Sequence, residues 1–353
     1  MTISNILSPI DVPPIVHSLF DHHNVVDHDG HTMPLFSVKV TKLLDGLFIG
    51  CSMNHAVGDG TSFFNFIKAW FEIINVQCNV KGPLSHVSIS HSPIHNRWFP
   101  DGCGPFINLP LKEEDMSISI SEAPKLRLRI FHFSGESIAK LKAKANEEFK
   151  TTEISSFQSL VAHVWRSITR ARHLPYDQKT SCKVSIDNRS RMEPPLGQEY
   201  FGNAFSKRSA ESTAGELLEH DLGWAAWKVH LTIANYNDKV ARHLLKEWLQ
   251  SPVLNALDSA IDPCGVSISS SPRFNPYGQH LGTFKGIAIL SGFNNKFDGK
   301  VGLYPGYEGG GSIDVELSLS HHAMNALESD EDFMRLVSTK KKILAKSDLK
   351  YIG

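Results

Sequence analysis

The chain has 353 residues, 41% of them hydrophobic and 21% charged, and carries a formal net charge of −1. Such a length and apolar content suit a globular protein of two ordinary domains and argue against disorder, and the evenly mixed charge implies no nucleic-acid partner. Five scattered cysteines without a C-x-x-C pair exclude a zinc ribbon and fit a reducing cytoplasm, and there is neither a signal-peptide core nor an apolar run of about 18 residues, so no membrane is expected.

Residues 1–32 are polar, interrupted by Pro9, Pro13 and Pro14, and rich in His and Asp. Asp21-His22-His23 and Asp27-His28-Asp29-Gly30-His31 hold potential metal ligands but repeat no ligand spacing on a regular element, so solvated turns are expected and no metal site. Next, residues 35–41 and 47–53 read as two strands joined by an Asp45-Gly46 turn, a β-hairpin. A helix with an aromatic face is expected over 62–74.

Between that hairpin and that helix stands Met53-Asn54-His55-Ala56-Val57-Gly58-Asp59-Gly60. His55 and Asp59 are four residues apart at a strand-to-helix junction, a place where an imidazole can serve as general base. Gly58 and Gly60 are read as permitting sharp or left-handed backbone there, which argues against His55 and Asp59 as metal ligands on one helix turn. His17/Asp21 and His23/Asp27 have the same spacing, so the pattern alone decides nothing; those two copies are read as solvated loop residues.

Prolines and glycines over 80–112 mark a long irregular loop. A strand is expected at 126–133, then helices at 135–149 and 155–172, the second with Phe157, Leu160, Val161, Val164, Trp165 and Ile168 on one face and His163 as packing. A strand over 183–187 leads to Arg189 and Arg191. Residues 213–257 read as helical, and strands are expected at 266–271, 286–292, 300–304 and 312–319, with Gly309-Gly310-Gly311 as a turn and a last helix over 322–338. The lysines at 340–342, 346 and 350 read as a solvated face. There is no G-x-G-x-x-G, Walker or G-x-S-x-G motif, so neither a nucleotide fold nor a serine hydrolase is supported.

Four blocks, His55 to Gly60, Asp187-x-Arg189-x-Arg191 with Pro194-Pro195, Tyr200-Phe201-Gly202-Asn203-Ala204, and Ser312-Ile313-Asp314-Val315-Glu316-Leu317, resemble in this order the BAHD family of plant acyl-CoA-dependent acyltransferases. The resemblance implies an α/β fold of two chloramphenicol-acetyltransferase-like domains with a tunnel between them, divided here as 1–180 and 181–353. It implies acyl-CoA as co-substrate, a small-molecule acceptor, no permanently bound cofactor and a monomer. His55 would take the acceptor's proton, and Ser270, in the row Ser269-Ser270-Ser271, would donate to the oxyanion. Asp59 would turn away from substrate and pair with Arg189 or Arg191.

Two departures from the family stand out. Its Asp-Phe-Gly-Trp-Gly signature is replaced by His280-Leu281-Gly282-Thr283-Phe284, which keeps only the central glycine, Gly282. Elements that normally precede residue 1 are absent, so the first domain is expected to be shortened and to leave a sheet edge uncovered. Two readings follow: an acyltransferase with His55 as base, acting on a hydroxyl or an amine, or a catalytically decayed relative that at most binds a ligand.

Overall fold

The computed structural model describes residues 1–23, 25–79, 89–99, 125–252, 261–269, 272–274, 277, 280–281 and 284–338. In chain order these form helix α1 (Ile3–Leu7), hairpin β1 (Phe36–Lys42) and β2 (Leu47–Met53), helix α2 (Gly60–Asn79), strand β3 (Leu126–Phe133), and helices α3 (Gly135–Glu148) and α4 (Ser156–Ala171). Strands β4 (Lys179–Asp187) and β5 (Phe205–Thr213) precede helices α5 (Ala214–Glu219), α6 (Leu222–Ala234) and α7 (Asp238–Gln250). Then come β6 (Val266–Ser269), the short pair β7 (His280–Leu281) and β8 (Phe284–Lys285), β9 (Lys300–Pro305), β10 (Ile313–Ser320), α8 (His321–Glu328) and α9 (Glu331–Met334).

A six-stranded mixed sheet in the order β3-β10-β9-β6-β4-β5 organises the molecule. The β4–β6 and β6–β9 pairs are parallel and the others antiparallel. Alternate residues of its strands, among them Val184, Ile268, Val301, Val315 and Leu317, face α3, α4, α6 and α8 and form the main core with them. Helix α4 starts on a capping box between Ser155 and Gln158, and of its expected face Leu160, Val161, Val164, Trp165 and Ile168 are fully buried while Phe157 is half-buried against the same core. Truncating Leu160 or Ile168 to alanine would cost about 2–5 kcal/mol. His163 lies in that core too, stacked on Phe333, and burial lowers its pKa to about 4, so it is neutral packing.

Because side chains alternate along a strand, the intervening residues Lys183, Ser267, Lys300, Glu316 and Ser318 point to the other, polar face. That face carries the segment 291–296. Residues 286–292 were expected to be a strand but run irregularly: Leu290 and Phe293 pack onto a second small core of Ile6, Val16, Leu19 and Leu43, and the Ser291 amide and hydroxyl go to the Glu316 carboxylate instead of a neighbouring strand.

Other differences have simple causes. β5 carries no clear strand signal in the sequence, since it is an edge strand with few core residues. The helical stretch 213–257 is cut into α5, α6 and α7 by the N-caps Thr213, Asp221 and Asn237, and the helix expected over 322–338 is broken by Asp330, which caps α9. Gly309, Gly310 and Gly311 all adopt positive φ, as the turn between β9 and β10 requires. The division expected at residue 180 falls inside β4, and β3, α3 and α4, which precede it, pack on the same sheet as the strands that follow. The outer edge of β3 is met by the N-terminal segment, through an Asp11–Arg129 bridge and a Val12 N–H to Leu128 O bond of 2.8 Å. The 340–350 lysines lie outside the described residues, and no described helix is long and apolar enough to cross a membrane.

Candidate active site

The hairpin delivers the chain to Asn54, whose backbone N–H bonds to Leu35 O at 2.8 Å. From there the loop is pinned on two sides. Asp27 accepts the His55 backbone N–H at 2.8 Å on its carboxylate and the Asn54 side-chain amide at 2.6 Å on its carbonyl, while Asn203 Nδ2 donates to His55 O at 2.7 Å. His55 itself is solvent-exposed, with its ring 5.7 Å from that of Phe205. It lines a cavity of about 310 Å³ bounded by the segments 17–34, 51–60 and 291–295.

Behind the loop, Asp59 is the residue before α2 and acts as its N-cap: Oδ1 accepts Ser62 N–H at 3.0 Å. Both oxygens face Arg189, with Nη1 to Oδ2 at 2.8 Å and Nη2 to Oδ1 at 2.9 Å, and Ala204 N–H adds a bond of 2.9 Å to Oδ2. Arg189 is 0% and Asp59 5% exposed, so the charges are out of water and survive only because they are paired and hydrogen-bonded. Burial alone would raise the Asp59 pKa; the Arg189 bonds and the Ser62 and Ala204 amides outweigh it and leave the carboxyl below its ordinary range. Arg189 also reaches Tyr200 O and Gly202 O, and Ser62 Oγ bonds Gly202 O at 3.0 Å, so the block 200–204 is tied to the same knot.

The structure therefore brings His55, Asp59 and Arg189 together but not Arg191. Arg191 Nη1 donates instead to Ile233 O and Tyr236 O, at 3.2 and 2.6 Å, closing the C-terminal end of α6. Neither Gly58 nor Gly60 has positive φ, so of the sharp or left-handed backbone expected there the left-handed form is not adopted. Gly58 is required for closeness: a Cβ there would sit 2.9 Å from Ser62 Cβ, whereas one on Gly60 would meet the Phe274 ring at an ordinary 3.5 Å. Ser270 and Gly282 lie outside the described residues, and His280 is placed only as backbone of β7.

Sequence reasoning missed Asp27, and the two look-alike motifs are not mere solvated loop. His17, His23 and Asp27 line the His55 cavity, with His17 stacked on Phe293 at 3.6 Å. No local signal marks them, since the contacts join loops far apart in sequence. Among the described residues no group of three or more His, Cys, Asp or Glu is arranged to hold a metal.

A family model described as the transferase family matches residues 4–334, and BAHD acyltransferase DCR of Arabidopsis thaliana is 34% identical over 327 residues, which are 90% of this chain and 66% of that protein. The chain belongs to the BAHD transferase family. Another BAHD relative, an uncharacterised acetyltransferase of Arabidopsis thaliana, is 33% identical over 341 residues, covering 95% of this chain and 75% of its own length. Among solved structures, F. graminearum TRI101 in complex with coenzyme A and T-2 mycotoxin superposes with a TM-score of 0.67 at 18% identity, over 86% of this chain and 69% of that one. The α/β BAHD fold expected from the resemblance is the one observed.

Proposed function

We propose that this protein transfers an acyl group from acyl-CoA to a hydroxyl or amine of a small-molecule acceptor, with His55 as general base. The observation that carries the reading is the placement of His55 on the cavity wall, in a loop clamped by Asp27 and Asn203 in front and by the Asp59–Arg189 pair behind. As the acceptor's oxygen or nitrogen attacks the thioester carbonyl, the neutral imidazole takes its proton; the tetrahedral oxyanion then collapses, the C–S bond breaks, and the imidazolium returns the proton to the CoA thiolate. Ser270 is proposed as donor to that oxyanion. Asp59 holds the loop and takes no proton. TRI101, solved with coenzyme A, and the acyltransferases among the relatives support the donor class. We place the enzyme in the cytoplasm as a monomer.

A decayed, non-catalytic relative is the competing reading, favoured by His280 standing where the family signature has its acid. Release of CoA from acetyl-CoA over a panel of alcohols and amines, in wild type and His55→Ala, separates the two. The enzyme reading expects a fall of about 10²- to 10⁴-fold in kcat for His55→Ala with an unchanged melt. Equal CoA release by both proteins sinks the general-base assignment; none from wild type supports decay.

A further inference from the structure

His17 and His23 meet through their Nδ1 atoms at 3.1 Å inside the cavity that His55 lines. Two lone pairs cannot face each other at that distance, so one ring carries its proton on Nδ1 and the other accepts it. Tautomer bookkeeping then fixes the far edges. When both rings are neutral, the donor ring presents a bare Nε2 and the acceptor ring an Nε2–H, and neither Nε2 hydrogen-bonds to another of the described residues. In its neutral form the pair thus offers one acceptor and one donor nitrogen.

Its position is rigid. His17 stacks on Phe293, with centroids 3.6 Å apart and planes at 19°, and meets His23 edge-on at 71°. Phe293 belongs to the wall that Ser291 fastens to Glu316 and Asn294 fastens to His22 O at 2.5 Å. Burial, and secondarily the neighbouring His23, lower the His17 pKa.

The cavity's chemistry narrows the occupant. No Lys or Arg is among its lining residues, while Asp27 adds a carboxylate, so an anionic ligand would find no counter-charge. Phe20, Phe63 and Phe293 supply apolar ring surface, and about 310 Å³ suits a small ring-containing molecule.

Resting on the acyltransferase reading above, we propose that the His17–His23 pair is a second anchor for the acceptor, hydrogen-bonding a hydroxyl remote from the one acylated and selecting an uncharged, hydroxyl-bearing aromatic alcohol. A hydroxyl can donate to the bare Nε2 or accept from the Nε2–H of the neutral pair; a carboxylate can only accept.

Calorimetric binding to the full chain tests this with three probes of one skeleton: tyrosol, 2-phenylethanol, which lacks the phenolic hydroxyl, and 4-hydroxyphenylacetate, which is an anion. Tyrosol is expected to bind about tenfold tighter than 2-phenylethanol, the worth of one good hydrogen bond, and 4-hydroxyphenylacetate more weakly than tyrosol. In His17→Asn and His23→Asn, whose amide keeps a polar atom near the Nδ1 position but removes Nε2, the ratio should fall towards one. Nitrogen-15 imidazole spectra of wild type provide an independent readout, with opposite tautomers expected for the two rings. An unchanged ratio in both variants, tighter binding of the anion, no binding of any probe, or two rings both protonated only at Nε2 would overturn the anchor. Catalysis is read separately from CoA release with acetyl-CoA and tyrosol: discrimination without release sinks the acyltransferase reading and leaves the anchor standing.

Discussion

Asp59 and Arg189, 130 residues apart in the chain, meet in a two-bond ion pair at 2.8 and 2.9 Å that is almost wholly shielded from solvent. Each lies on a different part of the fold, Asp59 ahead of α2 and Arg189 after β4, so the pair joins the His55 loop to the large sheet. Asp59→Asn keeps the shape and leaves the guanidinium without its counter-charge, and urea unfolding should show a loss of about 3–5 kcal/mol. The pH dependence has a definite sign. With its folded pKa below the ordinary 3.8, Asp59 contributes stability that is complete above that value and drains as pH falls through the folded pKa. The gap between wild type and Asp59→Asn should therefore close in acid; a gap that is independent of pH would refute the pair's charge as its source.

Asp27 and Asn203 hold the backbone of His55 from opposite sides, yet both are exposed and neither belongs to a core. Removing either should leave the melting temperature nearly unchanged while letting the imidazole drift. Misplacement on the order of 1 Å costs up to about 100-fold in rate, so Asp27→Ala and Asn203→Ala are expected to lower kcat with little effect on KM for acyl-CoA. Steady-state kinetics on the two variants would show it, and a rise in KM alone would point to substrate contact instead of loop positioning.

Gly58 and Gly60 make a controlled comparison, since they are two residues apart and neither has positive φ. A methyl on Gly58 would press on Ser62, whose hydroxyl ties α2 to Gly202, and must displace that turn. Gly58→Ala should destabilise by about 1–3 kcal/mol, as overpacking does, and Gly60→Ala should be tolerated in denaturant unfolding.

How much of this was legible in the sequence depends on the range of the interaction. The hairpin and α4 were readable because their signals are local: a turn dipeptide in one case and a 3.6-residue apolar rhythm in the other. β5 was not, because an edge strand needs only one apolar face and its Phe205–Thr213 stretch is mostly Ser, Lys, Arg and Glu. The choice between Arg189 and Arg191 was not readable either. Two residues of backbone after β4 decide which guanidinium turns inward to Asp59 and which reaches the end of α6. Asp27, His17 and His23 gain their meaning only when the loop carrying them closes over the hairpin end.

His132 in β3 is held between Asp314, Nδ1 to Oδ1 at 2.7 Å, and Glu308, Nε2 to Oε1 at 3.1 Å. The Asp314 bond raises its pKa above the ordinary 6.5 against the opposing effect of burial, and Glu308 adds to the rise. A raised folded pKa gives stability that is full below the unfolded value and is lost as pH climbs through the folded one. Wild type should therefore exceed His132→Gln in stability most on the acid side of neutrality, and the difference should shrink on the alkaline side; urea midpoints across that range would check it.

Glu316 is 1% exposed in the middle of β10, on the polar face of the sheet, and takes Lys296 and Ser291 as partners. Since Ser291 begins the wall that carries Phe293, the charge at Glu316 reaches the His55 cavity through three residues of loop. Glu316→Gln preserves the volume but strands the Lys296 ammonium, itself only 12% exposed, and a loss of about 3–5 kcal/mol is expected. Lys300, which burial and then Lys207 and Lys296 push down to about 8, would lose the Glu316 carboxylate that opposes the shift, and so should fall further. Adding Lys296→Met to Glu316→Gln removes the stranded cation and should recover part of the stability, because the two positions form one interacting unit. The recovery would fail if Glu316 acted only through Ser291. In that case the double variant would be as unstable as the single one and the wall would be held by the serine bond alone.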